Sequence, residues 1–251
     1  FSQTYRTMDL TFMESVWWVF KQLYEKGLVY EGFRVMPYSW KLGTPLSNFE
    51  AGENYKETDD PSVVITFPLL DEENVSLLAW TTTPWTLVSN LAVIAGPDID
   101  YVMVQDPHSH HRYILAESRL AAYFKHPEEE IILRRFKGRE LEGRPYQPAF
   151  GYFSAMRDKG AFKVIVDDFV TVEDGTGLVH AAPGFGESDF YACQKRGIPV
   201  VCPVDQNGQF TSDVPEYQGR MVKTCDKDII RALKQEGRIL KHDTIRHRYP
   251  F

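Results

Sequence analysis

Apolar residues near the start of the chain recur at steps of three and four. They are Leu10, Met13, Val16, Trp17, Phe20, Leu23 and Tyr24, and Gly27 follows them. This spacing places the apolar side chains on one face of a helix over residues 8–26, and a glycine after the last turn is a common helix end. Further helices are predicted at Glu117–Phe124, Glu187–Arg196 and Asp226–Glu236, the last of them closed by Gly237.

Short apolar runs separated by turn signals fill most of the remaining sequence. The predicted strands are Leu28–Tyr30, Phe33–Val35, Val63–Phe67, Val75–Trp80, Leu91–Ala95, Tyr101–Gln105, Arg112–Leu115, Glu128–Phe136, Phe162–Val166, Phe169–Val172, Gly177–Ala181 and Ile198–Cys202. The acidic stretch Asn48–Asp60 is predicted to be a loop. Many short strands with a few short helices indicate a mixed α/β, β-rich fold, with a small closed β-barrel core decorated by short helices.

Composition narrows the class of protein. The chain has 251 residues, of which 43% are apolar, so it can bury a sizeable core. It has no apolar run of about 18 residues and no basic-then-apolar signal pattern at its start, so we expect a cytoplasmic protein that does not enter a membrane. The cysteines, Cys193, Cys202 and Cys225, lack C-x-x-C spacing and are expected to be reduced, partly buried thiols.

The formal net charge of −7 argues against a freestanding nucleic-acid-binding protein, which would carry a basic surface. A module that touches only the end of an RNA held elsewhere is still compatible with this charge. Two basic stretches could make such a contact, one between Arg134 and Arg144 and the other between Arg231 and Arg248. For both we expect an ordinary solvated face.

Two polar segments carry the candidate chemistry. Trp80–Thr86 reads WTTTPWT, and Gly175–Asp189 reads GTGLVHAAPGFGESD. Each begins as a strand and breaks at proline or glycine, which places hydroxyls, an imidazole and a carboxylate in loops. Neither segment contains a serine nucleophile elbow, metal-ligand spacing or a phosphate-binding glycine loop. Such a set suits a small, cationic, ester-linked ligand that is attacked by water.

A histidine cluster in the turn Asp106–His111 raises the question of a metal site. The cluster consists of His108, His110 and His111. No acidic or cysteine partner is spaced to complete a set of ligands, so we expect a solvated turn and no metal.

The two polar segments resemble the editing domain that is inserted into the class I aminoacyl-tRNA synthetases for isoleucine, valine and leucine. The stretches MPYS at Met36–Ser39 and TPLSNFE at Thr44–Glu50 are similar to the isoleucine type, and to its cytosolic eukaryotic form in particular. The resemblance covers essentially the whole chain. It implies that residues 1–40 form a junction leading from the synthetase catalytic domain and that residues 41–251 form the editing domain.

The resemblance also implies an activity. Isoleucine and valine differ by one methylene, which binding discriminates by only ~1–3 kcal/mol, and the isoleucine enzymes are the standard example of this limit. The implied reaction is hydrolysis of mischarged valyl-tRNA(Ile) after transfer, with hydrolysis before transfer left open. The implied partners are the tRNA(Ile) 3′ end carrying valine and the rest of a monomeric synthetase in cis. The resemblance further implies an editing domain without a cofactor and a full-length synthetase that uses ATP and Mg²⁺.

Asp189 is the predicted anchor for the α-ammonium group of the ester, since a carboxylate is the simplest partner for that cation. The alternative is that Asp189 caps the helix that follows it. His180 ends a predicted strand at the pocket. In the family the matching histidine shapes the pocket and helps to exclude the isoleucyl side chain. We favour this role over that of a general base, because no orienting carboxylate is spaced beside His180.

The threonines have both a structural and a functional interpretation. Threonine is a good strand former, but Pro84 ends strand pairing and places the nearby hydroxyls where the backbone turns. The predicted catalytic set is Thr82, Thr83, His180 and Asp189, and the predicted substrate-binding set adds Trp80, Thr81 and Thr86. Their hydroxyls and amides could hold the ester carbonyl, the ribose hydroxyls and the attacking water. Trp85 is expected in the core, and Trp80 is either core or a stacking surface for the terminal adenine.

Two alternatives remain open at the level of sequence. One is an editing domain of a valine- or leucine-type synthetase, which would differ only in substrate. The other is a non-catalytic barrel that binds RNA or protein and whose threonine, histidine and aspartate side chains are structural. The chain lacks the HIGH and KMSKS nucleotide signatures, so we do not expect it to activate an amino acid by itself.

Overall fold

The computed structural model describes residue 4 and residues 6–53, 55–124 and 131–250. Backbone contacts divide the chain into two compact units, Phe1–Arg34 and Val35–Phe251. The predicted boundary at residue 40 stays a prediction. No helix in the described ranges is long and apolar enough to cross a membrane.

Helices form a minor part of the fold. The α-helices are α1 (Leu10–Glu25), α2 (Asn48–Ala51), α3 (Leu120–Tyr123), α4 (Glu187–Gln194) and α5 (Val222–Gln235). Short 3₁₀ helices occupy Pro84–Ser89, Glu117–Arg119, Gly138–Leu141, Ser154–Lys159 and Pro215–Tyr217. The helices predicted near the start of the chain, after Gly186 and near Asp226 are therefore confirmed, with small shifts of their ends.

The first unit consists mainly of α1. This helix has the predicted apolar face, but none of its residues is buried. Trp17 and Trp18 are 70% and 62% exposed, so neither belongs to a core. An uncovered apolar face of this kind is typical of a surface that contacts another part of a larger protein.

Strands build the second unit. They are β1 (Tyr38–Ser39), β2 (Thr44–Pro45), β3 (Tyr55–Pro68), β4 (Val75–Thr81), β5 (Ala92–Ala95), β6 (Asp100–Gln105), β7 (Arg112–Ala116), β8 (Ile131–Lys137), β9 (Lys163–Val166), β10 (Leu178–Ala181) and β11 (Ile239–Pro250). The mixed, β-rich fold predicted from the sequence is confirmed, with the main sheet curled as a half-barrel. The first three residues of the predicted strand Glu128–Phe136 lie outside the described residues.

Several predicted elements are wrong. Four segments that the structure describes do not pair as strands: Leu28–Tyr30, Phe33–Val35, Phe169–Val172 and Ile198–Cys202. An apolar run fits a half-buried surface but does not supply a neighbouring edge to pair with. The predicted loop Asn48–Asp60 contains α2 and the start of β3, because the charged strand β11 pairs with β3 from Ile239 to Pro250. Neither strand shows apolar alternation there, so the sequence pattern gave no sign of the pairing.

Nine of the described strands form one sheet, and β4 is its branch point. Along one edge β4 pairs with β3 from Ser76 to Thr81. Its other pairings are with β7, from Val75 to Leu77, and with β10, at Trp80. β7 and β10 therefore pair with successive parts of β4, and the sheet divides between them.

Thr176 fills the interval between these two strands. Its hydroxyl donates to the carbonyl oxygen of Leu78, 2.5 Å away, between the β7 and β10 pairings. Its own carbonyl accepts the Ala116 amide at 2.9 Å. The next residue, Gly177, has φ +77°, and a Cβ there would lie 2.4 Å from the Ala116 Cβ, so this junction requires glycine. Thr176 is fully buried, and its hydroxyl satisfies a carbonyl that no strand reaches.

Side chains of the sheet alternate between two cores. In β4, Leu77 and Ala79 face the larger core, whereas Leu78 faces a smaller core with Val64 and Val102. Because strand side chains alternate, Thr81 lies on the larger-core face and Trp80 on the opposite face. The sheet is therefore buried on both sides where the first polar segment begins.

We expect Thr176→Val to lower the free energy of unfolding by ~1–3 kcal/mol. Valine keeps the volume of threonine but leaves the buried carbonyl of Leu78 without a donor. Urea denaturation measures this loss. The control is Thr244→Val, whose exposed side chain lies in β11 and which should change stability by less than ~0.5 kcal/mol. Equal stability of the two variants would contradict the role given to the Thr176 hydroxyl.

Candidate functional site

The segment Thr81–Thr86, here called the threonine loop, leaves the sheet at the end of β4. Pro84 occupies the first turn of the 3₁₀ helix, where a missing amide costs no hydrogen bond. The Thr81 hydroxyl accepts the Thr83 amide at 3.1 Å, and the Thr86 hydroxyl donates to the Thr83 carbonyl at 2.8 Å. Thr81 and Thr86 are buried and hold the loop, whereas Thr82 and Thr83 are half-buried at its surface.

His180 connects the second polar segment to this loop. Its Nε2 lies 3.0 Å from the Thr86 Oγ1, and its Nδ1 lies 2.9 Å from the Asn90 Nδ2. The Asn90 amide also donates to the Ala92 carbonyl, and its Oδ1 accepts the Tyr146 hydroxyl at 2.8 Å. Tyr146, Asn90, His180, Thr86 and Thr83 thus form one hydrogen-bond relay.

The relay fixes the protonation of the His180 ring. Because the Asn90 Nδ2 can only donate, Nδ1 of His180 accepts, and Nε2 must carry the proton that is donated to Thr86. Burial lowers the pKa of His180 to about 3, so the ring is neutral at physiological pH. Both ring nitrogens are engaged within the protein. The ring therefore holds Thr86 and Asn90 through its two nitrogens and offers no lone pair to a water.

Asp189 lies in the first turn of α4 and does not cap it. The N-cap is Gly186, with no side-chain capping bond. Instead, Oδ2 of Asp189 accepts the amide of Ala182 at 3.0 Å. Oδ1 accepts no hydrogen bond from the described part of the chain. Burial raises the pKa of Asp189, and the Ala182 amide opposes this. A cation placed at Oδ1 would favour the ionised carboxylate.

Gly186 leaves room for this carboxylate. A Cβ at position 186 would lie 2.6 Å from Oδ2 of Asp189, closer than real contacts allow. The backbone at Gly186 is extended, so the requirement is one of space and not of conformation. Gly186 thus makes room for the aspartate of the second segment.

The two polar segments also meet through aromatic rings. Trp85 and Phe185 pack edge to face, with ring centroids 4.7 Å apart. The Trp85 amide donates to Oδ1 of Asp226 at 2.9 Å, which fixes the threonine loop to α5. Burial raises the pKa of Asp226 to about 6. Trp85 packs against the larger core, as expected, although its buried Nε1 has no hydrogen-bond partner in the described part of the molecule.

Trp80 does not join this site. Its side chain packs with the smaller core on the opposite face of β4, and its Nε1 donates to the Ser62 hydroxyl at 2.7 Å. There it lines a separate cavity of about 230 Å³ with Arg119 and Tyr123. Strand alternation turns Trp80 away from Thr81, so it lies apart from the hydroxyls of the threonine loop, and its role in substrate binding stays a prediction.

The cysteines and the histidine turn offer no further chemistry at the site. Cys193 and Cys225 are buried, Cys202 is exposed, and all three are free thiols. Burial, aided by the charge of Asp189, raises the pKa of Cys193 to about 12, so it is not a thiolate nucleophile. In the histidine turn, the His111 Nε2 lies 2.9 Å from the Ser76 hydroxyl.

Three residues of the site escaped the sequence analysis. Asn90 closes the 3₁₀ helix only four residues beyond Thr86, and a buried polar residue just before an apolar strand could have marked it. Tyr146 and Asp226 lie far from the threonine loop in the sequence, and no motif around either residue indicates a contact with that loop. Only the fold brings them to the threonine loop.

The pKa of His180 predicts a pH dependence. The unfolded ring has a pKa near ~6.5 and the folded ring a lower one, so the unfolded state binds the extra proton on acidification. Stability is present above the unfolded pKa and falls as the pH falls. We expect the parent to lose ~2 kcal/mol more than His180→Gln between pH 7 and pH 5. Urea titrations of both proteins test this, and parallel pH profiles would contradict a buried neutral ring.

The chain resembles known proteins in sequence. It is 62% identical over 251 residues to an isoleucine--tRNA ligase of Protochlamydia amoebophila, covering all of this chain and 24% of that protein. It is 54% identical over 248 residues to the ligase of Bdellovibrio bacteriovorus, covering 98% of the chain and again 24% of the relative. These relatives are bacterial, so they do not support the expected cytosolic eukaryotic type. The chain spans about a quarter of their length.

Solved structures share the fold at low identity. The editing domain of the cytosolic leucyl-tRNA synthetase of P. knowlesi matches with a TM-score of 0.55 at 13% identity, over 82% of this chain and 100% of that one. The corresponding P. falciparum domain gives 0.53 at 10% identity, over 73% and 98%. The family of class I tRNA synthetases (I, L, M and V) matches residues 1–235. The chain therefore belongs to the class I tRNA synthetases.

Proposed function

We propose that this chain is the editing domain of an isoleucine--tRNA ligase and hydrolyses the ester of valyl-tRNA(Ile) after transfer. The observation that carries the proposal is the direct contact between the two polar segments, through Thr86 and His180, which are 3.0 Å apart. This contact joins the loop that carries Thr82 and Thr83 to the segment that carries Asp189, which supports one shared site. Hydrolysis before transfer is left open.

Asp189 is the proposed anchor for the substrate. Valine in ester linkage keeps a free α-ammonium group, and Oδ1 of Asp189 is the oxygen left without a donor by the described residues. The bond from Ala182 fixes the other oxygen at 3.0 Å, so the carboxylate is oriented before the ammonium arrives. A preoriented carboxylate binds an ammonium group more tightly than a mobile one.

Thr82 and Thr83 are the proposed donors to the reacting ester. The hydroxyls of Thr81 and Thr86 are committed to the loop, whereas the Thr83 hydroxyl lies 3.3 Å from the first and 3.4 Å from the second. At the surface of the site it can turn toward the ester carbonyl. Donors fixed near the developing oxyanion lower the barrier to attack.

Water is the proposed nucleophile. Its oxygen adds to the ester carbonyl carbon, the bond from that carbon to the ribose oxygen breaks, and the ribose oxygen takes a proton derived from the water. His180 is not used as the base, because its Nδ1 already accepts a hydrogen bond from Asn90. The products are valine and tRNA(Ile). ATP and Mg²⁺ would serve the activation site in the remainder of the synthetase in cis, not this reaction.

The competing functions predict different substrates. The sequence relatives named above are isoleucine ligases at 62% and 54% identity, which favours the isoleucine type over the valine and leucine types. The leucine-type structural neighbours, at 13% and 10% identity, speak only to the fold. A non-catalytic barrel would leave every ester intact. Mixing the chain with valyl-, isoleucyl- and threonyl-tRNA(Ile) and following ester loss distinguishes these cases, and valyl ester should be lost fastest.

We expect Asp189→Asn to lower kcat/KM for valyl-tRNA(Ile) roughly 10- to 100-fold, because the variant loses the charge that holds the ammonium. The control is Glu187→Gln, an exposed carboxylate of the same helical turn, which removes the same charge without touching the site. Rates of ester loss and melting curves are measured for both. Near-parental hydrolysis by a folded Asp189→Asn would contradict the anchor.

We expect His180→Ala to hydrolyse isoleucyl-tRNA(Ile) at least about tenfold faster than the parent, because the space of the ring admits the larger side chain. Valyl hydrolysis should persist, since no proton passes through the ring. His111→Ala, which removes a half-buried histidine outside the site, is the control. Loss of activity toward both esters in a folded variant would favour a general base instead.

A further inference from the structure

A stripe of cations runs along α5. Lys223, Lys227, Arg231 and Lys234 follow one another at steps of four, four and three, and all four are exposed. Residues at these steps share one face of a helix, and the eleven steps from Lys223 to Lys234 span ~16 Å along its axis. The last two belong to the basic stretch for which the sequence suggested only a solvated face.

The stripe borders a groove of about 670 Å³, here called the cationic groove. Its opposite wall is formed by β3, through Asp59 and Asp60, and by β11, through His242 and Thr244. The groove is therefore an open channel between a helix and a two-stranded ribbon.

The carboxylates of the cationic groove have partners within the protein. Asp60 pairs with Lys223 at 3.1 Å and with His247 at 2.8 Å. Asp59 lies 3.7 Å from Arg246. Asp226 accepts the Trp85 amide. Asp60 is therefore paired with cations of the protein, Asp59 shares Arg246 with Glu57, and Asp226 is held by a neutral donor.

The other end carries positive charge. Among the described residues no carboxylate forms an ion pair with Lys227 or Lys234. Lys234 donates to Nδ1 of His242 at 2.9 Å, and burial together with Lys234 lowers the pKa of that histidine. Arg231 shares Asp228 with Arg220. In a chain of net charge −7, this end is a local exception that would attract an anion.

Asp226 joins the cationic groove to the candidate site. It forms part of the groove wall, and its Oδ1 accepts the Trp85 amide at 2.9 Å. Trp85 lies between Thr83 and Thr86 in the threonine loop. One residue thus separates the groove from the threonine loop, so the groove and the loop that would hold the ester are neighbours.

We propose that the cationic groove binds backbone phosphates of the RNA acceptor strand whose 3′ end carries the ester. This inference rests on the proposed function and adds the place where the RNA is held. Lysine ammonium groups are compact point charges that bind phosphates without reading bases, so the contact is independent of sequence and sensitive to salt.

The test is binding of uncharged tRNA(Ile) to the chain between 50 and 200 mM salt, followed by fluorescence anisotropy. We expect the double variant Lys227→Glu/Lys234→Glu to bind at least about tenfold more weakly, and its log–log salt slope to be shallower by about 1–2. The matched control is Lys159→Glu/Lys163→Glu, which changes the net charge equally at exposed sites outside the groove. If the melting temperature of the double glutamate variant falls, Lys227→Ala/Lys234→Ala is measured in its place.

A second readout separates this inference from the proposed function. The groove variant should raise KM for valyl-tRNA(Ile) with little change in kcat, and should hydrolyse the valyl ester of adenosine, which has no phosphates, at the parental rate. If the parent hydrolyses neither ester, the proposed function fails while tRNA binding still decides the groove. Absence of tRNA binding by the parent, or equal affinity and salt slope in the groove and control variants, would overturn the inference.

Discussion

Strand β4 pairs with three other strands, β3, β7 and β10, and the arrangement of the second unit depends on these three pairings. β7 and β10 follow one another along β4, and the hydroxyl of Thr176 satisfies the Leu78 carbonyl in the interval between them. The interval lets the sheet split and curl without an unpaired buried carbonyl, which would cost ~1–3 kcal/mol. It also places β10 beside the last residues of β4. His180 and Thr81 therefore reach the same face, although they are far apart in sequence.

The site that results is neutral at its centre and charged at its edge. Burial keeps His180 uncharged, and Asn90 and Thr86 occupy both ring nitrogens, so the ring contributes shape and orientation. Asp189 contributes charge from the half-buried start of α4. This division would suit a ligand with one cationic group and one reacting ester, because the proposed anchor for the charge is separate from the proposed donors to the ester.

Through Asp226, α5 contributes to both the candidate site and the cationic groove. Its carboxylate holds the Trp85 amide, and the same helix presents Lys227 and Lys234 to the cationic groove. A buried carboxylate that accepts a backbone amide fixes the distance between the helix and the threonine loop. A polyanion bound along the helix, as proposed, would therefore lie at a fixed distance from the threonine loop.

The sequence by itself determined the local elements and the chemical groups. Apolar spacing predicted α1 and most strands, and the two polar segments indicated which residue types act, because strand periodicity and the breaks at proline and glycine are local properties. Only the tertiary structure decided how these groups are partnered. The pairing of β3 with β11, the relay from Tyr146 through Asn90, and the bond from Trp85 to Asp226 all join residues distant in the chain. Such contacts depend on which edges and faces meet, and no local pattern of side chains encodes that.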